Sequence, residues 1–205
     1  MRCNVIAVNF LVIKLKVTLK DIALIQMGYS FRSRIESMGT GTVAVIQMKD
    51  LTDRNRVDSS SLVSVDMEKP REHHLVKLGD LIFRSRGLIS TSAILEEDAG
   101  IAIVAAPLLR IRVTDHNVLP EYLNWFISQT PAQIFFTSQA KGTTQRMISK
   151  AVLEGLEVYV PPVNLQKAII DIAALSEEEQ LIMKNLADKR RQYISTELIR
   201  LAQGA

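Results

Sequence analysis

The sequence predicts an α+β fold in which a domain with a mixed, twisted β-sheet and short helices is followed by one long α-helix. Runs of β-branched residues bounded by Gly, Asp or Pro recur between Thr42 and Val160, as is typical of strands. Short helical patterns lie among them without regular alternation, which favours α+β over βαβ units. After Pro161 and Pro162 no Gly or Pro occurs until Gly204, and apolar residues repeat every three or four positions, as in a helix.

The two adjacent prolines divide the chain into two predicted domains, residues 1–161 and 162–205. Consecutive prolines end a strand and can directly precede a helix. Acidic and basic side chains are equal in number from Asn164 onward, so the net charge of +3 belongs to the first domain. Because 47% of the residues are hydrophobic, the first domain has enough apolar material for its own core.

The first domain begins with a segment, residues 1–20, that favours a strand over a signal peptide, because its apolar run is short and no cleavage pattern follows. A capping box of Thr18 and Asp21 then predicts a helix over residues 19–27 that stops at Gly28. The remaining predicted elements are strands at 42–48, 75–84 and 100–113, helices at 120–128 and 131–138, and a helical turn leading into a strand at 151–160.

The second domain is predicted to be a single helix of about 40 residues, with Asn164 as its N-cap. Such a helix would be about 60 Å long, longer than a domain of this size is wide. We therefore expect it to pair with a second copy as a coiled coil, the alternative being a helix folded back along its own domain. The apolar residues expected at this dimer interface are Ile172, Leu175, Ile182, Leu186 and Tyr193.

Few residues suit catalysis or metal binding. Of the three histidines, His73 and His74 are adjacent and would point in opposite directions on a strand. The single cysteine, Cys3, cannot form an internal disulfide, so nothing requires an oxidising compartment. No complete P-loop, G-x-S-x-G or H-E-x-x-H motif is present. We expect a cytoplasmic protein, not a membrane protein, that has no cofactor or metal and is not an enzyme by itself.

Three basic, hydroxyl-rich loops, residues 28–34, 83–87 and 138–146, are the main functional signal. Arg can form two hydrogen bonds with guanine, Gln can form hydrogen bonds with adenine, and hydroxyl groups can form them with phosphate. The three loops together therefore predict contact with double-stranded DNA, although each loop alone also fits a solvated surface loop. Lys49 also fits a structural pair with Asp50. The candidate DNA-binding residues, expected to converge on one face, are Arg32, Arg34, Lys49, Arg84, Arg86, Lys141, Thr143, Thr144, Gln145 and Arg146.

These loops occur within an ordered series of short motifs. The series comprises VTLKDI at 17–22, Gly28 with Phe31, VIQMKDL at 45–51, LGDLIF at 78–83 with Arg86 and Gly87, PEYL at 120–123, GTT at 142–144 with Ile148, and residues 153–166, from Leu153 through VPP to Gln166. In this order, over residues 17–201, the chain resembles a target-recognition domain and the following helix of the specificity subunit of a type I restriction-modification system.

The resemblance implies a non-catalytic subunit that reads a DNA sequence and directs methylation and cleavage by a modification methyltransferase subunit and a restriction subunit. Specificity subunits usually carry two recognition domains and two long helices, whereas this chain has one of each. Two copies joined through residues 164–203 would restore that arrangement, and a truncated or recombination-reserve fragment is the alternative.

Two other functional hypotheses remain. One is a protein-interaction scaffold or decoy that binds the modification complex without reading DNA. The other, a stand-alone methyltransferase or nuclease, is opposed by the missing cofactor and metal motifs.

Overall fold

The structure is a computed structural model that describes residues 15–32, 35, 41–67, 70–87, 90–139 and 147–204. The chain forms two compact units, Met1–Gln166 and Lys167–Ala205. Short strands and short helices make up the first unit, and a long helix makes up the second, so the predicted α+β class is confirmed. Of the segment 1–20 that was expected to contain a strand, residues 15–18 form a strand, and residues 1–14 lie outside the described residues.

The elements follow one another in mixed order. The strands are β1 (Leu15–Thr18), β2 (Ala23–Met27), β3 (Val43–Ile46), β4 (Val63–Val65), β5 (Leu81–Phe83), β6 (Ser92–Ile94), β7 (Ala102–Val104), β8 (Leu109–Val113) and β9 (Glu157–Val160). The helices are α1 (Leu19–Ile22), α2 (Pro120–Ile127), α3 (Thr130–Gln139), α4 (Lys150–Glu154) and α5 (Val163–Ala202), and 3-10 turns span Met48–Asp50 and Glu72–His74.

The strands form three sheets. β1 pairs with β9, and an antiparallel sheet has the order β2-β8-β5-β6. The third sheet, β4-β3-β7, is mixed, because β3 and β7 run parallel while β3 and β4 run antiparallel. Parallel pairing places the carboxyl ends of β3 and β7 at one edge, so the residues that follow these two strands lie close together.

Apolar side chains from two of the sheets share one core. Ile46 and Val104 of the mixed sheet belong to the same buried cluster as Ile82 and Ala93 of the antiparallel sheet. Val43 and Val45 of β3 belong to a second buried cluster. Because side chains alternate along a strand, β3 is buried on both faces, which agrees with its nearly continuous apolar sequence.

The predicted helix over residues 19–27 is wrong in its length. The capping interaction is present, since the Asp21 carboxylate accepts a hydrogen bond from the Thr18 backbone N–H at 3.2 Å. The helix nevertheless ends at Ile22, and the next five residues form β2, which pairs with β8. Burial alternates there, with Ala23 and Ile25 buried and Leu24 exposed, as expected of a strand with one face in the core.

Three other predicted boundaries also need correction. Of the predicted strand 75–84, Leu81–Phe83 forms a strand, and the chain turns before it at Gly79, whose φ is +82°. The predicted strand 100–113 is two strands, β7 and β8, separated by a turn. Helix α5 begins at Val163, so Asn164 lies in its first turn and is not the N-cap.

A buried charge cluster connects the residue before β5 to β8. The Asp80 carboxylate is 1% exposed and accepts hydrogen bonds from Arg112 Nε at 2.7 Å and Nη2 at 2.6 Å. Arg110 Nη1 lies 3.9 Å from the same carboxylate and donates to the Leu75 carbonyl at 2.6 Å. The hydrogen bonds that Arg112 donates to Asp80 raise the pKa of Arg112, whereas burial lowers the pKa of Arg110. Asp80 is therefore the counter-ion of two arginines.

Gln166 fixes the first turn of α5 to the rest of the first unit. Its side chain is fully buried, and its Oε1 accepts a hydrogen bond from the Leu119 N–H at 2.9 Å. Its Nε2 donates to the carbonyl oxygens of Asn117 and Pro161, each at 2.7 Å. Every hydrogen-bonding atom of this buried amide has a partner, as a buried polar group requires.

Helix α5 continues through the second unit with an exposed apolar stripe. The five residues expected at an interface are between 59% and 67% exposed: Ile172, Leu175, Ile182, Leu186 and Tyr193. Across the described part of the chain, no helix combines the length and the apolar character needed to cross a membrane.

We predict that Asp80→Asn lowers the free energy of unfolding by about 3–5 kcal/mol, because it leaves two arginines without their buried counter-ion. Urea unfolding of the full chain measures this change. The matched control is Glu157→Gln, which removes the exposed pair with Lys16 at 2.7 Å and should have a much smaller effect. Equal effects of the two substitutions would contradict the structural role of Asp80.

Candidate nucleic-acid interface

The turn between β7 and β8, residues 105–108, binds the last residue of β3 and the residues that follow β2. We call it the central turn. Its N–H groups donate to the carbonyl oxygens of Ile46, at the end of β3, and Tyr29, just after β2, each at 2.9 Å. Its last carbonyl accepts a hydrogen bond from the Gly28 N–H, also at 2.9 Å. The first predicted basic loop and the segment after β3 are therefore attached to the same turn.

Close packing against the central turn explains Gly28. A Cβ atom at this position would lie 2.6 Å from the carbonyl carbon of Ala105 and 2.8 Å from the nitrogen of Ala106. These are backbone atoms, which cannot move aside as the end of a flexible side chain can. Only glycine allows this approach, which brings the loop that carries Arg32 against the turn.

The second predicted basic loop is attached to the central turn as well. The Ser85 hydroxyl donates to the Pro107 carbonyl, and the Ser85 carbonyl accepts a hydrogen bond from the Ile148 N–H at 2.8 Å. Arg86 forms an antiparallel bridge with Met147. Met147 is the first residue after the third predicted loop, 138–146. This residue therefore lies beside Arg86 of the second predicted loop.

Arg84 joins the second loop to the segment that contains Lys49. Its Nη2 donates to the carbonyl oxygen of Leu51 and, at 3.3 Å, to that of Thr52. The side chain is half-buried. These bonds give Arg84 a structural role, because part of its guanidinium group is committed to the protein's own backbone.

Asp50 positions the backbone around Lys49. The Asp50 carboxylate is 3% exposed and accepts a hydrogen bond from the Gln47 N–H at 2.7 Å. Burial raises the pKa of Asp50. The Lys49 ammonium lies 3.9 Å from this carboxylate, and 58% of the Lys49 side chain is exposed. The structural pair considered from the sequence is thus present, yet Lys49 still reaches solvent.

The structure describes four of the ten predicted DNA-contacting residues. Arg32, Lys49 and Arg86 are exposed on three different segments, all attached to the central turn directly or through Arg84. The others lie outside the described residues: Arg34, Lys141, Thr143, Thr144, Gln145 and Arg146. Their convergence with the first three remains a prediction.

A cavity of about 550 Å³ lies beside the central turn. It is lined by Ser30, Phe31, Ile35, Gln47, Lys49, Val63 and Ala106. Ser30 and Gln47 were not among the residues predicted from the sequence to contact DNA. Gln47 was placed inside the predicted strand 42–48, whereas in the structure the strand ends at Ile46.

Aromatic and imidazole rings form a row next to this cavity. The Tyr29 ring lies 4.9 Å from that of Phe31 and 5.5 Å from that of His74, between ring centroids. The rings of His73 and His74, which lie in the 3-10 turn Glu72–His74, are 4.2 Å apart. Burial lowers the pKa of His74, and the neighbouring His73 and Arg71 add to the shift. No group of three or more potential metal ligands occurs among the described residues.

One family of known proteins matches most of the chain. The model of the type I restriction modification DNA specificity domain matches residues 14–185. No curated protein sequence matches the chain.

Several solved structures have a similar fold. The HsdS subunit from Thermoanaerobacter tengcongensis matches 83% of the chain with a TM-score of 0.59 and 15% identity. The type I restriction-modification S subunit from M. genitalium matches 83% with a TM-score of 0.54 and 13% identity. A chain from a study of complex assembly and conformational transition in the type I R-M system matches 91%, with a TM-score of 0.61 and 19% identity. The matches cover 39%, 41% and 43% of those chains, so this chain spans less than half the length of each.

Proposed function

The chain belongs to the family of type I restriction-modification DNA specificity domains, and on that premise we propose that it recognises double-stranded DNA with the surface around the central turn. The observation that carries this proposal is the attachment of three exposed cations, Arg32, Lys49 and Arg86, to one turn. In this role the chain is a non-catalytic specificity component. It directs methylation and cleavage that a modification methyltransferase subunit and a restriction subunit perform.

The three exposed cations suit different parts of a duplex. Lys49 carries a compact charge that pairs with a phosphate, whereas the guanidinium groups of Arg32 and Arg86 can fork onto a phosphate or onto guanine. Arg84 holds the segments together through its backbone contacts and makes at most a secondary DNA contact. The other predicted residues remain part of the proposed surface: Arg34, Lys141, Thr143, Thr144, Gln145 and Arg146.

Helix α5 supplies the proposed assembly surface. Burial of each large apolar side chain in its stripe would contribute about 1.5–3 kcal/mol, so a partner helix would stabilise it strongly. We propose that two copies pair through the stripe as a coiled coil and that the paired helices also bind the methyltransferase subunit. In an antiparallel pair, two helices of about 60 Å would hold two recognition domains tens of Å apart. That separation suits a split target with an unread spacer.

We predict that Arg86→Ala weakens duplex binding by about 1–3 kcal/mol if Arg86 reads a base, and by less, for all sequences alike, if it contacts a phosphate. In the phosphate case the slope of log K against log salt should fall by about 0.9. Fluorescence anisotropy with a labelled duplex at several salt concentrations measures both quantities.

The matched control for Arg86→Ala is Lys184→Ala, which removes one exposed charge from α5. If both variants lose the same amount of duplex-binding affinity, the loss reflects the general charge of the protein and contradicts the proposed surface. If the unmodified chain binds a methyltransferase subunit but no duplex at low salt, the scaffold or decoy hypothesis is correct instead.

We predict that Leu186→Glu prevents self-association, because it places a charge in the middle of the apolar stripe. Light scattering should show a dimer for the unmodified chain and a monomer for the variant at the same concentration. Lys184→Glu, two positions away and off the stripe, should remain a dimer. An unmodified chain that stays monomeric at high concentration and does not bind a methyltransferase subunit would show that α5 has no assembly role.

A further inference from the structure

The apolar stripe of α5 follows a strict heptad spacing over the middle of the helix. From Ile172 to Tyr193 the stripe positions alternate in steps of three and four residues, which is the spacing of a coiled-coil seam. Five of the seven positions are the exposed apolar residues described above, and the other two are charged. The seven seam positions are Ile172, Leu175, Glu179, Ile182, Leu186, Lys189 and Tyr193.

The two charged positions distinguish this seam from a purely apolar one. Glu179 and Lys189 are exposed, and the ion pair along α5, between Arg191 and Asp188 at 3.8 Å, involves neither of them. Their positions are about 15 Å apart along the helix axis, too far for a contact within one chain. A partner helix that covers the seam would bury both charges, and a buried charge without an opposite charge strongly weakens association.

One antiparallel alignment pairs these two charges with each other. In an antiparallel coiled coil of two identical helices, residues equally far from the centre of the alignment face each other. When the centre is position 184, Glu179 of each copy faces Lys189 of the other. Apolar layers then lie on both sides of each charged pair: Ile182 with Leu186, and Leu175 with Tyr193.

Other alignments bring the same charges against unsuitable neighbours. In a parallel pair in equal register, Glu179 would face Glu179 and Lys189 would face Lys189, because identical positions then meet. An antiparallel pair shifted by one heptad would place Glu179 against Ile182 or against Thr196. Each of these arrangements buries charges that are repelled or lack an opposite charge. Charge complementarity therefore favours one orientation and one register.

We propose that Glu179 of each copy pairs with Lys189 of the other, and that these two contacts fix a symmetric antiparallel dimer centred on position 184. The partner that covers the stripe is thus a second copy of this chain. This inference rests on the proposed self-association through α5, since it names the contacts that set its orientation and register. A polar contact within a coiled-coil seam lowers stability relative to an apolar layer but excludes other arrangements.

Reversal of either charge tests the pairing in the full-length chain. Glu179→Lys places a lysine against Lys189 twice in each dimer, and Lys189→Glu places a glutamate against Glu179 twice. In sedimentation equilibrium, each variant alone should dimerise at least about a hundredfold more weakly than the unmodified chain. The matched controls, Glu177→Lys and Lys184→Glu, make the same charge changes off the seam and should alter the dissociation constant about fivefold or less.

Two rescue experiments separate loss of the charge pair from damage to the helix. An equimolar mixture of Glu179→Lys and Lys189→Glu should form a heterodimer about as tightly as the unmodified chain dimerises, because both pairs are again of opposite charge. A double variant with both reversals in one chain should form a homodimer of similar strength. A parallel dimer would behave differently, since neither single reversal would weaken it and the mixture would associate more tightly than the unmodified chain.

Disulfide trapping in a Cys3→Ser background tests the orientation directly. A mixture of Leu175→Cys and Tyr193→Cys should form a disulfide-linked dimer under mild oxidation, because the two positions share a layer. Leu175→Cys alone should stay without a cross-link, since the two copies of this position would lie about 27 Å apart in the antiparallel dimer.

The inference is overturned if the single charge reversals dimerise as tightly as the unmodified chain, or if Leu175→Cys forms a cross-linked dimer by itself. In both cases the chain still self-associates, so the proposed assembly role of α5 stands. An unmodified chain that stays monomeric at high concentration would refute the proposed self-association together with this inference.

Discussion

The proposed recognition surface depends on the central turn between β7 and β8. The backbone of this turn binds the end of β3 and the residues after β2, and Gly28 approaches it too closely for any side chain. Ser85 attaches the loop of Arg86 to the same turn, and Arg84 adds the segment of Lys49. These contacts use backbone atoms and buried or half-buried side chains. The exposed cations therefore contribute little to the stability of the fold.

Buried polar groups stabilise the fold. Asp80 neutralises two arginines, and Gln166 forms hydrogen bonds with three backbone groups near the start of α5. Arg32 and Arg86, in contrast, are exposed. Substitutions of exposed side chains should therefore change the free energy of unfolding little, whereas substitutions of Asp80 or Gln166 should lower it.

The spacing of apolar residues and the positions of Gly and Pro were sufficient to predict the α+β class, α2, α3 and the long helix. They failed where local sequence fits two structures: ALIQM at 23–27 suits a helix or a strand, and pairing with β8 decides the outcome. The arrangement of the candidate site could not be predicted from the sequence, because it depends on contacts between residues far apart in the chain. Nothing near Arg84 in sequence indicates that its guanidinium group binds the carbonyl oxygens of Leu51 and Thr52.

The most direct measurement of the central claim is hydrogen–deuterium exchange of the full chain with and without a bound duplex. If the segments around the central turn form one DNA-binding surface, amide exchange should slow together in residues 28–32, 47–52 and 84–86. Amides of α5 beyond Lys167 should show no change caused by DNA alone. Slowing confined to one of these segments, or found only in α5, would contradict a shared surface built on the turn.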